Sequence, residues 1–308
     1  MQILYSPGMI ILYVLISCTM VIHFRGKVRL KFLRQLTDHS VFTAPVNCFM
    51  YLFSKVPNKP FLDRQNFPEL DVLKDNWETI RDEALSIYEA GHIKKSEKLD
   101  DIAFNSFFRT GWTRFYLKWY KGILPSAQPL CPKTIELIEK IPNIKAAMFV
   151  MLPGGSRLGK HRDPYAGSLR YHLGLQVPND DECFIEVDDQ KYSWRDGDDV
   201  LFDETYIHWV HNKTDKGRLI LFCDVTRPMN NIFATMVNKF ISRFFVSAAQ
   251  TKNMEGDKTG FLNKVFGAVF QVRIFGKKLK KMNRKLYYTA KYVLFISLVY
   301  LIFFYWLG

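Results

Sequence analysis

The chain is 308 residues long, 48% apolar and 24% charged, with a formal charge of +13. That length holds one sizeable catalytic domain with accessories, and that balance excludes a disordered chain. Its five cysteines are scattered without a CxxC pair, which excludes a disulfide framework or a zinc ribbon and fits a reducing compartment.

Met9 to Phe24 carries no formal charge, and counting back to Ile3 gives about 22 residues, enough to cross a bilayer core. The basic residues Arg25, Lys27, Arg29, Lys31 and Arg34 follow the apolar run, and no small-residue cleavage site precedes Arg25. A membrane anchor over 1–24 is therefore expected, not a cleaved leader. Residues 25–66 read as a basic juxtamembrane segment. Within it 41–57 is apolar and aromatic, with Pro45 expected to interrupt any helix. Leu70, Leu73, Trp77, Ile80, Ala84 and Ile87 recur at helical spacing, so one amphipathic helix is expected there. Another is expected from Pro132 to Ile141, with the proline in its first turn.

From Ala146 the pattern changes to short β-prone runs: AMFVML, RYHLGLQV, ECFIEV, QKYSW, DVLFD and RLILFCDV. Turn signals such as Pro-Gly-Gly and Arg-Asp-Gly-Asp separate them, which predicts an antiparallel sandwich or barrel within a domain spanning 67–230. Residues 231–285 follow as basic amphipathic helices lying on a bilayer surface. Arg273, Lys277, Lys278, Lys280, Lys281, Arg284, Lys285 and Lys291 then lead into the uncharged run Tyr292 to Leu307, a second anchor over 286–308. The two basic clusters hold thirteen residues, as many as the whole formal excess. The positive-inside rule puts both, and the domain between them, in the cytoplasm, facing anionic lipids. No recognition motif accompanies the charge, so nucleic acid is the weaker partner.

The chemical signal is His161-x-Asp163 with a distant His208. Iron(II) that must bind a co-substrate and O₂ needs three protein ligands on one face and open positions opposite. Residues i and i+2 of a strand point the same way, so His161 and Asp163 are expected to present imidazole and carboxylate together. Arg218 stands ten residues past His208, at the start of a strand. Its guanidinium fork suits the free carboxylate of a metal-chelating 2-oxoglutarate. Arg170 and His172 alternate along RYHLGLQV, and on an inward face they would assist the co-substrate. His211 is a rival distal ligand, but three positions from His208 it is expected to face away.

At these residues the sequence resembles the aspartyl/asparaginyl β-hydroxylase family of iron and 2-oxoglutarate oxygenases. The resemblance runs from about Phe67 to Pro228. It rests on the proximal His161, the R-x-H-L-G-L strand Arg170 to Leu175, the turn Gly197 to Glu204 before His208, and Arg218. It implies a mainly β fold, a double-stranded β-helix (jelly roll) with flanking helices and terminal transmembrane helices. It also implies that His161, Asp163 and His208 hold Fe(II), that Arg218 binds the distal carboxylate of 2-oxoglutarate, and that Arg170 and His172 contact its metal-proximal end, with O₂ as oxidant. Animal aspartyl hydroxylases have glycine in place of Asp163. The retained carboxylate and two anchors resemble the bacterial lipid A 2-hydroxylase branch. That implies C2 hydroxylation of an acyl chain of lipid A, or of a lipopolysaccharide precursor, at the cytoplasmic face of the inner membrane. A membrane-tethered hydroxylase of peptide Asp/Asn or of another lipid fits the same residues, and a non-catalytic jelly-roll binding protein is the more distant alternative.

Overall fold

Residues 6–36, 38–95 and 101–306 are described by the structure, a computed structural model. The outer ends of the two expected anchors, 1–5 and 307–308, lie outside the described residues. Among the described residues ten strands pair antiparallel: β1 (Thr113–Trp119), β2 (Gly122–Ile123), β3 (Ile144–Leu152), β4 (Arg157–His161), β5 (Ser168–Gln176), β6 (Cys183–Val187), β7 (Gln190–Ser193), β8 (Asp199–Phe202), β9 (His208–Asn212) and β10 (Arg218–Thr226). They form a six-stranded sheet, β2-β1-β3-β10-β5-β8, and a four-stranded sheet, β4-β9-β6-β7. The two sheets share one apolar core and make a jelly roll. All six expected runs are strands. β1, β2, β4 and β9 were not expected. β4 (RLGKH) is short, charged and mostly exposed, so it carries no apolar alternation to read.

The helices are α1 (Pro7–Phe24), α2 (Phe32–Gln35), α3 (His39–Leu52), α4 (Asp71–Lys74), α5 (Trp77–Glu89), α6 (Pro132–Glu139), α7 (Ile232–Phe244), α8 (Phe261–Met282) and α9 (Arg284–Tyr300). β3, β5 and β10 are buried along nearly their whole length, because helices such as α5 cover the outer face of their sheet. This explains why they read as continuous apolar runs. Glu83 on α5 fastens the helical layer by accepting from Lys133 N (2.9 Å) and Thr134 N (2.8 Å) at the start of α6. Loop closure is tight at Gly174, where a side chain would run into Arg195 O. Gly197 turns the same loop with φ +75°, packed against the Trp77 indole.

Three expectations are corrected. The single helix expected over Leu70 to Ile87 breaks into a 3-10 turn, α4 and α5, with Asp75 and Asn76 between them. Pro45 does not interrupt α3; it sits inside the helix, which does without one hydrogen bond to the Val41 carbonyl. Burial explains the tolerance. Ala44, Asn47, Met50 and Tyr51 pack inward, and Asn47 grips the barrel by donating to Pro164 O (3.0 Å) and accepting from Ala166 N (2.9 Å). Arg25, expected on a headgroup-facing surface, instead lies against the barrel with its side chain 10% exposed, paired with Asp203 at 2.5 Å.

The packed unit therefore extends beyond 67–230 on both sides. Downstream, Asn253 accepts from Tyr116 N and donates to Tyr116 O, both at 2.8 Å, closing the bulge in β1. Among the described residues, three stretches are long and apolar enough to cross a membrane: Pro7–Phe24, Ile232–Ala249 and Arg284–Phe303. Along α7, Ile232, Phe233, Met236, Phe240 and Phe244 are more than half exposed, while Ala234 and Asn238 are buried.

Candidate metal centre

Strand pairing brings the two histidines together: His161 ends β4, His208 begins β9, and they are register partners. Their rings lie 4.2 Å apart between centroids. Asp163 lies two residues past β4, so strand alternation does not aim it, contrary to expectation. Two other contacts do. Its backbone N donates to Glu204 O at 2.9 Å, and its Oδ2 accepts from Arg170 Nη2 at 2.8 Å. Asp163 Oδ1 then stands 3.9 Å from His161 Nε2, and one ligand atom from each of the three residues falls within 4.8 Å of the others.

The protonation states suit a cation. His161 Nδ1 faces Gly159 O at 2.7 Å and His208 Nδ1 faces Tyr206 O at 3.0 Å. Carbonyls only accept, so the protons belong on Nδ1, and each Nε2 keeps a bare lone pair. Burial, then the neighbouring His161, pushes His208 down to about 3. Burial alone would raise the Asp163 carboxyl, but Arg170 and the two histidines outweigh it and hold it below the usual range. Two neutral imidazoles and one carboxylate converge.

The cavity beside them lies between the sheets. Leu158, Ile185 and Val210 line it from the smaller sheet, and Phe202, Phe222, Arg170, His172 and Arg218 from the larger. Phe104, Phe107 and Trp112 close it from the segment before β1, with Phe107 edge-on to His161. The polar residues follow β10. Asp224, near its end, pairs with Arg170; Phe222 is the register partner of His172; Arg218 stands at its start.

Arg218 is buried, and its Nε and Nη1 have no hydrogen-bond partner among the described residues. Its guanidinium rests 4.2 Å from the centroid of the Trp194 ring, and burial pulls its pKa down to about 10. Leaving a guanidinium buried without a carboxylate costs several kcal/mol, so this position suits an anionic ligand. His172 is buried too, with neither ring nitrogen partnered. Burial, then Arg218, holds it neutral.

Arg170 lines the same cavity, and its guanidinium is also engaged by acidic neighbours. Asp163, Glu204 and Asp224 all pair with it, and Phe222 stacks on it at 3.7 Å. Burial, aided by Asp224 and Asp163, pushes Glu204 well above the carboxylate range. His211 faces away, stacked on Phe184. Sequence reasoning missed Glu204, Trp194 and Asp224. Two of them left a signal: Asp224 as a carboxylate inside the apolar strand RLILFCDV, and Glu204 as the last residue of the turn before His208.

A pH dependence follows. An unfolded histidine titrates near 6.5, whereas buried His172 and His208 stay neutral far below that. Between those values the unfolded chain binds more protons, so their contribution to stability is full above pH 6.5 and is lost as pH falls. Glu204, raised by burial, contributes with the opposite sign, so the informative quantity is a difference between variants. The stability of His172→Leu relative to the parent is expected to grow by about 2 kcal/mol from roughly pH 7 to roughly pH 5. Urea titrations of the metal-free proteins check this; a constant difference would mean that His172 protonates in the folded state.

Comparison with known proteins adds an independent finding. The model of the aspartyl/asparaginyl beta-hydroxylase family matches residues 74–228. An ornithine lipid ester-linked acyl 2-hydroxylase of Rhizobium tropici is 33% identical over 185 residues, 58% of this chain and 64% of that protein. The human aspartyl/asparaginyl beta-hydroxylase is 28% identical over 165 residues, 51% of this chain and 21% of the relative. The match thus spans less than two thirds of either relative's length. Among solved structures, a cupin 2 conserved barrel domain protein of Salinispora arenicola aligns at a TM-score of 0.26 and 14% identity, covering 41% of this chain and 86% of that one.

Proposed function

Since this chain belongs to the aspartyl/asparaginyl β-hydroxylase family, whose members depend on iron and 2-oxoglutarate, we propose that it is a membrane-bound Fe(II)/2-oxoglutarate-dependent hydroxylase adding a hydroxyl group at C2 of a lipid acyl chain. The observation that carries the reading is the convergence of His161, Asp163 and His208 on one wall of a mostly apolar cavity that also holds an unpaired Arg218. These residues fit the cofactors: two bare Nε2 atoms and an ionised carboxylate make a facial set for Fe(II), and orphaned guanidinium donors suit a dicarboxylate.

Bound there, iron and 2-oxoglutarate supply the oxidising power: O₂ is split between the new hydroxyl group and succinate, with release of CO₂. The chain's own residues bind and orient. Arg218 takes the distal carboxylate through its fork, with Trp194 stacked beneath it. Neutral His172 offers an uncharged polar edge at the middle of the cavity. Arg170, occupied by three carboxylates, orients Asp163. Phe104, Phe107 and Trp112 exclude water and give methylene groups an apolar wall.

Lipid A, or a lipopolysaccharide precursor, is the substrate we favour, at the cytoplasmic face of a bacterial inner membrane. α1 and the 286–308 segment would serve as anchors, and α7 and α8 would lie along the bilayer, with the exposed apolar face of α7 inserted and the basic residues on anionic headgroups. The Rhizobium relative, an ornithine lipid ester-linked acyl 2-hydroxylase, makes an ornithine lipid the second candidate.

The test is mass spectrometry of lipid A and of total polar lipids from cells carrying the parent chain or Asp163→Ala. One added oxygen on an acyl chain, present only with the parent, is expected. Its appearance on an ornithine lipid and not on lipid A would move the substrate. Unchanged lipids alongside metal- and 2-oxoglutarate-dependent turnover of a peptide would refute the lipid reading.

A further inference from the structure

The loop from Asp203 to His208 supports two of the three converging residues. Glu204 O accepts from Asp163 N at 2.9 Å, and the Glu204 carboxyl meets the same Arg170 that holds Asp163. Tyr206 O faces His208 Nδ1 at 3.0 Å. The loop begins as a hydrogen-bonded turn, Tyr206 N donating to Asp203 O at 3.1 Å, and the side chains of Asp203, Thr205 and Tyr206 lie on its other side. There they meet Arg25, the first residue after α1.

Arg25 Nη2 pairs with Asp203 Oδ2 at 2.5 Å, and Nη1 donates to Thr205 Oγ1 at 3.0 Å. Its guanidinium lies over two rings, 3.9 Å from the centroid of Tyr51 and 3.7 Å from that of Tyr206. Asp203 is fully buried and shares its carboxylate with Arg227 at 2.6 Å. Tyr51 OH, from α3, donates to Thr205 Oγ1 at 2.7 Å.

We infer that Arg25 is a positioning residue for the metal site, so that α1 is part of the centre's scaffold as well as a tether. The inference rests on the metal reading of His161, Asp163 and His208. Without Arg25, Asp203 keeps Arg227 as its one cationic partner beside its Thr205 hydrogen bonds, Thr205 loses one of its two side-chain donors, and Tyr206 loses the cation stacked on it. The loop then slackens where it aims His208 and Asp163 together. Metal sites need their ligands held within roughly 0.5 Å, and losing an outer partner of a ligand weakens metal binding by about 10- to 100-fold. Lysine can pair with Asp203, but it cannot also span to Thr205 and lie flat between the rings.

The test titrates cobalt(II) into the full chain in detergent, read by visible absorption. The parent is expected to bind one equivalent. Arg25→Met is expected to bind about tenfold more weakly, with displaced ligand-field bands, and Arg25→Lys to recover part of the loss. Arg64→Met breaks a pair with Asp199 (2.7 Å) outside the loop and is expected to lower stability while leaving cobalt binding at the parent level. Folded Arg25→Met with parental affinity and bands would overturn the inference. If Arg25→Met does not fold, Thr205→Val decides: weaker binding supports the inference and unchanged binding overturns it. A parent chain that binds no cobalt, or Asp163→Ala that binds it normally, would instead bring down the metal reading, and the inference with it.

Discussion

Arg218→Met is expected to move two quantities in opposite directions: the protein without co-substrate becomes more stable, and its affinity for 2-oxoglutarate collapses. The guanidinium is buried with two unpartnered nitrogens, and no carboxylate among the described residues pairs with it. Methionine keeps most of the volume and removes the cost of burying the charge, which can gain about 1–4 kcal/mol. Binding then loses one side of a buried charge pair, a change of about 2–5 kcal/mol and so at least roughly 30-fold in affinity. Thermal melts with and without 2-oxoglutarate, in the presence of cobalt(II), read both quantities. Arg218→Lys, which keeps the charge but not the fork, is expected to fall between. Unchanged 2-oxoglutarate affinity in Arg218→Met would place the co-substrate elsewhere.

Asp163→Asn is expected to abolish hydroxylation and to weaken cobalt(II) binding by more than the roughly 100-fold upper end for losing an outer partner, because it removes the only anionic ligand of the three. The fold is expected to tolerate the change. Arg170 keeps Glu204 and Asp224, and Glu204 sheds the neighbouring Asp163 charge, one of the causes that raise its pKa. The discriminating readout is stabilisation by metal. At a concentration about 100 times the dissociation constant, cobalt(II) adds about 2.7 kcal/mol to the parent. The variant should gain less than about 0.4 kcal/mol at that concentration. Equal stabilisation of both would mean that Asp163 is not a ligand.

What was legible in the sequence follows from how local each constraint is. Iron chemistry demands particular residue types, so His161, Asp163, His208 and Arg218 stand out, and the structure brings all four to one cavity. The strands with long apolar runs were readable for the same kind of reason. β4 and β9 are not apolar runs, because basic and polar residues interrupt both (RLGKH and HWVHN), although they carry both histidines. Pairings across long stretches of chain leave no local mark. Arg25 and Asp203 are 178 positions apart, and as residues each looks like an ordinary surface charge. Pro45 misled because a single missing hydrogen bond was weighed without the packing that offsets it. For Arg170 the position on an inward strand face is legible, whereas the acidic side chains that pair with it, Asp163, Glu204 and Asp224, are not.

Oxidation of C2 of a membrane lipid acyl chain at this site is measurable with the purified full chain in nanodiscs holding a lipid A whose acyl chains carry two deuterium atoms at C2. Iron(II), 2-oxoglutarate and isotopically heavy O₂ are supplied. The expected product has lost one deuterium and gained one heavy oxygen atom, with one succinate formed for each. Heavy oxygen on a chain that keeps both deuterium atoms, or succinate formation indifferent to any lipid supplied, would contradict the account.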